Sequence, residues 1–463
     1  MFPGCEDYTR SQLMRASIAR AGRGLPVTET GMPLPAGTGL TRRSMLLSSA
    51  GLALAVYGAG GTLSPQAVEA AVAEAAGARR VLVSIFMDGG SDSLSLLAPT
   101  GDARYATLRS TLALAPNAGS PFEADNRLRW HPSAQGLREL WDDPGCGVAV
   151  APAIGYSSPN QSHFTSRHFW EVGATDPLAT TGWLGRYLDR VGSPNVPIQG
   201  LSLDGCLSPQ LATQSVAVAA TTNLSDYRFW TSGVWGAMEP RMLSTFATLG
   251  GLGSSDPITA QARQAQANAA SLSRDLASVD DGTTPAAAGY PAADSDFKTR
   301  LQGIARLLGI VDGAGNALPV RCVTLNAAGG YDTHSNQANE FASNLLTTAS
   351  NIRAFWHDLE LRGLADRVVI SLWSEFGRRP AENGSGTDHG AAGAAFVIGK
   401  DVRQGLIGEF PGLANGSGLD AYGNLRATSD FRGLYCALLE QWFQTDAGAI
   451  IPSAGSFARP ALL

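Results

Sequence analysis

Runs of consecutive apolar residues, most of them ending in glycine, acidic or polar residues, alternate along the chain with stretches whose apolar positions fall three and four apart. The runs occupy 80–87, 147–151, 198–203, 216–220, 320–325, 368–373 and 394–398. Four to eight apolar residues is the length of a strand buried on both faces. The stretches with helical spacing are 137–141, 164–172, 260–276, 296–311 and 336–361, the last with Phe341, Leu345, Ile352, Phe355 and Leu359 along one side. Strands alternating with helices predict an α/β fold whose mainly parallel central sheet is covered on both faces. Strand character lapses between 221 and 296. This region is expected to be a helical insertion or cap, about 221–300, with a Pro/Gly/Ala-rich linker or mobile loop at 278–296.

The first 75 residues have another character. After a Gly/Pro/Thr-rich start comes Thr41-Arg42-Arg43-Ser44-Met45 and then an apolar run interrupted by Ser48, Ser49 and Gly51. A charged segment, a short apolar segment and small residues beyond it describe an export signal. The run falls short of the roughly 20 apolar residues a span needs, so no stable transmembrane segment is expected after cleavage between 68 and 75. Arginines paired before the apolar run resemble the twin-arginine signal, which places the mature protein in the periplasm, at the cell surface or outside the cell. Residues 76–463 then form a single domain with its insertion. Five cysteines lie far apart with no C-x-x-C pair, so neither a zinc knot nor a redox motif is indicated, and the thiols are expected to be buried. Charged residues make up 16% of the chain and the net charge is -6. Without a basic stripe, nucleic acid is not an expected partner.

Candidate chemistry gathers behind the predicted strands. The first run ends in Asp88-Gly89-Gly90-Ser91-Asp92, the second leads through a polar loop to Ser162-His163, the fifth leads to Tyr331-Asp332-Thr333-His334, and Ser374-Glu375, Arg378 and Asp388-His389 lie between the sixth and the seventh. In α/β sheets ligands bind beyond the carboxyl ends of the strands. If 332–334 stays extended, Asp332 and His334 point the same way and can share an ion. Ser162 reads either as a helix cap or as a hydroxyl at an anion-favouring helix N-terminus. His163 and His168 are five apart and do not share a helix face, so they are not paired as ligands; His357 reads as a surface or packing histidine. No P-loop and no G-x-S-x-G elbow occurs.

The ordered motifs FMDGGSDSL, NQSHF, WEVG, TGWLGRYLD, YDTHSNQ, SEFGRR and GTDHG, together with the paired arginines, resemble the bacterial family called domain of unknown function 1501. That family is grouped by fold with the alkaline phosphatase and sulfatase superfamily. The resemblance implies an alkaline-phosphatase-like three-layer sandwich and a divalent metal (Zn, Mn, Ca or Mg) at the sheet edge. It implies Asp88 or Asp92, Asp332, His334, Glu375 and His389 as metal ligands and Ser162 as nucleophile; Asp388, beside His389 ahead of a strand, is a further candidate ligand, and Arg378 is the candidate for stabilising transition-state charge. The superfamily's Asp-x-x-x-His is here Asp-x-His and its Asp-His pair is Glu375-Phe376. The expected activity is hydrolysis of small phosphate or sulfate esters. The alternative is a non-catalytic binding or assembly protein on the same fold, with an exported protein as partner.

Overall fold

The computed structural model describes residues 55–57, 80–222, 224, 236–277, 279, 282–311 and 316–463. In chain order the elements used below are β1 (Ala55–Tyr57), β2 (Val81–Phe86), α1 (Gln135–Asp142), β3 (Gly147–Gly155), α2 (His163–Val172), β4 (Gly200–Ser202), β5 (Val218–Ala220), α3 (Met238–Gly250), α4 (Pro257–Leu276), β6 (Cys322–Asn326), α5 (Gln337–Leu361), β7 (Val368–Trp373), β8 (Arg378–Glu382), β9 (Thr387–His389), β10 (Gly393–Gly399), β11 (Gly405–Leu406) and β12 (Ser429–Asp430). All seven apolar runs contain a strand and all five periodic stretches a helix. Apart from 55–57, the leader expected over 1–75 lies outside the described residues.

The chain divides into two compact units interleaved in sequence, one drawn from 1–81, 176–284 and 302–325, the other from 82–175, 285–301 and 326–463. In the first, β4 pairs in parallel with β5 and β6, and β1 runs antiparallel to β5. The expected insertion supplies α3 and α4, which pack on one another. No described helix is long and apolar enough to cross a membrane. Cys146, Cys322 and Cys436 are buried free thiols and Cys206 is half-buried.

The second unit carries strands in the order β2-β7-β10-β3-β11, with β12 also beside β3. Its sheet is mixed. Strand β10 runs against both neighbours, with Ile370 opposite Ile398 and Phe396 opposite Val150, while β11 and β12 run parallel to β3. The reason is the connection. A parallel return needs a crossover, usually a helix, but 374–392 holds the β8–β9 hairpin instead. The consequence sets up the site: the end of β7, the end of β3 and the beginning of β10 lie at one edge, with Gly393 opposite Ile154. The end of β2 joins them, since the Met87 amide donates to the Trp373 carbonyl at 2.8 Å. So does the segment after β6, where the Ala327 amide donates to the Phe86 carbonyl at 2.8 Å.

Helix α2 is seated on this edge by its apolar face. Trp170 stacks between Trp373 (centroids 5.4 Å) and Phe431 (4.6 Å) and is 1% exposed; truncating a buried tryptophan to alanine costs about 3–5 kcal/mol. Gly173, in the left-handed region at φ 66°, ends the helix, as glycine does without a Cβ penalty.

Candidate functional site

Four side chains from three separate segments of the second unit meet at this edge. The Nε2 atoms of His334, His163 and His389 lie 3.2, 3.5 and 3.5 Å from the same Asp332 Oδ1. His334 Nε2 is 2.9 Å from His389 Nε2, and the donor atoms of His163, Asp332 and His389 all lie within 4.8 Å of one another. A tetrahedral ion bound at about 2.0–2.2 Å separates its ligand atoms by about 3.3–3.6 Å. The His163 and His389 contacts to Asp332, at 3.5 Å, have that spacing, while His334 stands closer, at 3.2 Å from Asp332 and 2.9 Å from His389.

Local sequence explains the convergence. Asp332 reaches the edge because Gly89, at φ 115°, lets the turn after β2 lie against it: a Cβ at Gly89 would stand 2.3 Å from the Asp332 amide nitrogen. His334 lies under the β8–β9 turn, where a Cβ at Gly386 would meet the His334 carbonyl carbon at 2.3 Å. His389 is the last residue of β9. His163 is the first residue of α2, directly behind Ser162 at the N-cap.

Hydrogen bonds hold the Nδ1 side of two of the rings. His163 Nδ1 is 2.7 Å from Glu375 Oε1, and His389 Nδ1 is 2.7 Å from the Gln161 carbonyl oxygen. Neither acceptor can donate, so the proton sits on Nδ1 and the Nε2 lone pair faces the centre. His334 Nδ1 faces Asp388 Oδ1 at 3.5 Å, which favours the same tautomer. Inward lone pairs around a carboxylate repel one another unless a cation lies among them, so the donor set fits a divalent metal ion. Burial by itself would raise the Asp332 carboxyl; without an ion, rings of His163, His334 and His389 that also carry a proton on Nε2, and the charge of Arg378, outweigh it and hold it well below the carboxylate range.

Several residues expected as ligands stand elsewhere. Glu375 is fully buried behind His163, accepting from the amides of Gly89 at 3.1 Å and Gly90 at 3.0 Å, with the Ser374 hydroxyl 3.0 Å away. Burial pulls its carboxyl upward, but the hydrogen bond and charge of His163 prevail and keep it lowered. It orients a ligand. Asp388 likewise stands behind His334 and accepts from Asn383 Nδ2 at 2.9 Å. Asp88 meets Arg167 Nη1 at 3.4 Å. Asp92 caps the short helix Ser93–Leu96 and is closed off: Arg109 contacts both its oxygens at 2.5 and 2.9 Å, and Ser95 and Gln337 donate to Oδ2. Neither oxygen is left for an ion.

Arg378 also departs from its expected role. Its guanidinium is wholly buried and donates to the carbonyls of Gly90, Thr387, Gly89 and Tyr331 and to Asp332 Oδ1 at 2.5 Å. It braces the loops and charges the centre from behind, out of a substrate's reach. Ser162 sits at the N-cap with no side-chain bond to the helix amides, so capping is not its work.

His163 is the residue that sequence reasoning passed over. Weighing it only against His168 tested the wrong partner; its place behind a strand-end loop, beside Ser162, was the signal.

No curated protein matches the sequence. Among solved structures, similarity extends to an alkaline phosphatase superfamily protein from Vibrio parahaemolyticus, at 9% identity and TM-score 0.31, covering 79% of this chain and 66% of that one, just under two thirds of its length. The PsFucS1 sulfatase from Pseudoalteromonas sp. is 11% identical over 86% of this chain and 78% of its own, TM-score 0.33. A phosphonate monoester hydrolase of Agrobacterium radiobacter is 11% identical over 79% and 74%, TM-score 0.31. Likeness at this level carries no argument about the site. The sequence itself matches the family model "Protein of unknown function (DUF1501)" over residues 138–451, more than half of its 463 residues, and the chain belongs to that family.

Proposed function

We propose that the protein is an exported, metal-dependent hydrolase of phosphate or sulfate esters, with His163, Asp332, His334 and His389 holding one divalent ion. The observation that carries the reading is the convergence of three imidazole Nε2 atoms on Asp332 Oδ1. When bound, the ion supplies Lewis acidity toward an ester oxygen and lowers the pKa of a hydroxyl or water. The protein's own groups do the rest. Glu375 and the Gln161 carbonyl keep His163 and His389 in the ligand tautomer, and Arg378 keeps Asp332 ionised. The side chains of Asp332, His334 and His389 remain 22, 23 and 18% exposed, which supports a centre open to substrate. Ser162, at the N-terminus of α2, is placed where a helix favours anions, and its hydroxyl or a water is the attacking group. The export reading rests on the paired arginines and apolar run at 42–57.

Purified mature protein should contain about one equivalent of Zn, Mn, Ca or Mg by elemental analysis. It should turn over 4-nitrophenyl phosphate or 4-nitrophenyl sulfate, and His389→Ala should abolish both metal content and turnover. Ser162→Ala should keep the metal and lose at least tenfold in kcat. Stoichiometric metal with no turnover of any ester would make the ion structural and end the hydrolase reading; no metal at all would end both.

A further inference from the structure

Beside the metal cluster lies an open cleft of about 390 Å³ bordered by the 156–159 loop, Ala391–Ala392 and the 420–430 segment. The size is that of a small-molecule site, typically about 300–1,000 Å³. Its walls are continuous with two of the ligands. The 156–159 loop runs into Ser162 and His163, and Ala391 follows His389 by two residues. The 420–430 segment is fastened to the same ligand shell: Gln161 Nε2 donates to Asn424 Oδ1 at 3.0 Å, while the Gln161 carbonyl oxygen accepts from His389 Nδ1 at 2.7 Å. Asn424 is in turn anchored to Asp420 through its amide at 2.9 Å and its side chain at 3.1 Å.

The charges of the cleft sort into used and unused. Asp420 accepts from the amides of Tyr422 and Asn424 and from the Asn424 side chain. Asp430 caps the next helix and takes the Arg432 guanidinium on both oxygens, at 2.9 and 2.7 Å. Both carboxylates are spent on the fold. Arg426 is the cationic side chain among the lining residues. Its Nε donates to the Leu419 carbonyl at 3.0 Å, which fixes the stem; its charge helps to hold the Asp420 carboxyl down, but among the described residues its two terminal nitrogens make no hydrogen bond and have no carboxylate within 4.0 Å. Ser158, also in the lining, is held at φ 57°, a conformation costly for a non-glycine residue and one that recurs at ligand sites.

We infer that the cleft is a second subsite, in which Arg426 binds an oxyanion that the substrate carries away from its scissile ester. The inference rests on the hydrolase reading for the identity of the scissile group, and it names the substrate class: an ester with a second carboxylate, phosphate or sulfate. A guanidinium with its terminal donors turned to solvent suits a planar or tetrahedral oxyanion. Because the Asn424–Gln161–His389 chain fixes the 420–430 segment to a metal ligand, the two anion positions are held at one separation, and affinity depends on substrate length.

Calorimetric titration of the metal-loaded full chain with ω-carboxyalkylphosphonates of two to eight methylenes tests this, with the matching alkylphosphonates as controls. One chain length should bind at least tenfold tighter than its control. Arg426→Gln should remove that advantage, and Arg426→Lys, which keeps the charge but not the bond to Leu419, should restore part of it. A series without an optimum, an optimum that survives in Arg426→Gln, or no binding of any carboxylated member overturns the subsite. Failure of the metal centre reads differently: alkylphosphonates would bind no better to loaded protein than to chelator-treated protein.

Discussion

Replacing Glu375 with glutamine changes one atom in a buried position that receives three N–H groups. The carboxylate accepts from the amides of Gly89 and Gly90 and from His163 Nδ1, at 3.1, 3.0 and 2.7 Å. Glutamine keeps the volume but has one oxygen, so it can serve His163 or Gly90 and turns an N–H toward the other. If the oxygen stays on His163, the Gly90 amide loses its acceptor, and an unmade buried hydrogen bond costs about 1–3 kcal/mol. The lost negative charge also makes His163 a weaker donor to a metal; removing such a partner typically lowers metal affinity about 10–100-fold, or about 1.4–2.8 kcal/mol. The expected result is a metal-free Glu375→Gln protein less stable by about 1–3 kcal/mol in chemical denaturation. Its metal affinity, read by competition with a chromogenic chelator, should fall by at least tenfold. Wild-type affinity in Glu375→Gln, alongside loss of metal in His163→Ala, would refute the argument that Glu375 acts through the imidazole.

Chelation should lower the melting temperature, and restoring metal to about one hundred times its Kd should add back about 2.7 kcal/mol; an identical melting curve with and without chelator goes against the ligand set. Gly89→Ala places a Cβ 2.3 Å from the Asp332 amide at φ 115°, so calorimetry should show both a lower melting temperature and weaker metal binding, whereas an effect on stability alone would separate the turn from the centre. Arg109→Met breaks a pair in which both side chains are 0% exposed and should cost about 3–5 kcal/mol at pH 7 in urea unfolding. Burial would raise the Asp92 carboxyl, but Arg109 and the bonds from Ser95 and Leu94 hold it below the ordinary aspartate range. A depressed folded-state pKa gives stability that is complete above the unfolded aspartate value of about 3.9 and is lost as the pH falls below it. Asp92→Asn should therefore flatten the stability–pH curve below about pH 4, and an unchanged acid limb there would count against the assignment.

What was legible in the sequence, and what was not, divides by the kind of signal each residue leaves. Apolar runs such as 368–373 announced strands through composition alone, and the structure has a strand at Val368–Trp373. Asp332 and His334 were expected to share an ion from their i, i+2 spacing, and both reach the centre. The roles of Arg378 and Asp92 were not legible. Most acceptors of Arg378 are backbone carbonyls, at Gly89, Gly90, Thr387 and Tyr331, and a carbonyl leaves no mark on residue identity. Asp92 is occupied by Arg109, 17 residues away, and by Gln337, 245 residues away, separations at which no periodicity speaks.

His163 failed for a topological reason. Its entry into the cluster depends on the direction of β10. Were 374–392 a crossover helix, β10 would run parallel to β7, and its first residue, with His389 just before it, would start at the far edge, away from Glu375. The hairpin β8–β9 reverses the strand, and since β3 is antiparallel to β10, its end and the loop carrying His163 come to the edge where β7 ends. The pairing of His163 Nδ1 with Glu375, 212 residues apart, follows from that one reversal. The information was present as the short, turn-rich spacer GRRPAENGSGTDHG, which contains too many glycines and too few apolar positions for a helix. Read that way, the spacer predicts the reversed strand, and the reversed strand brings His389 and His163 to the edge where Asp332 and His334 stand.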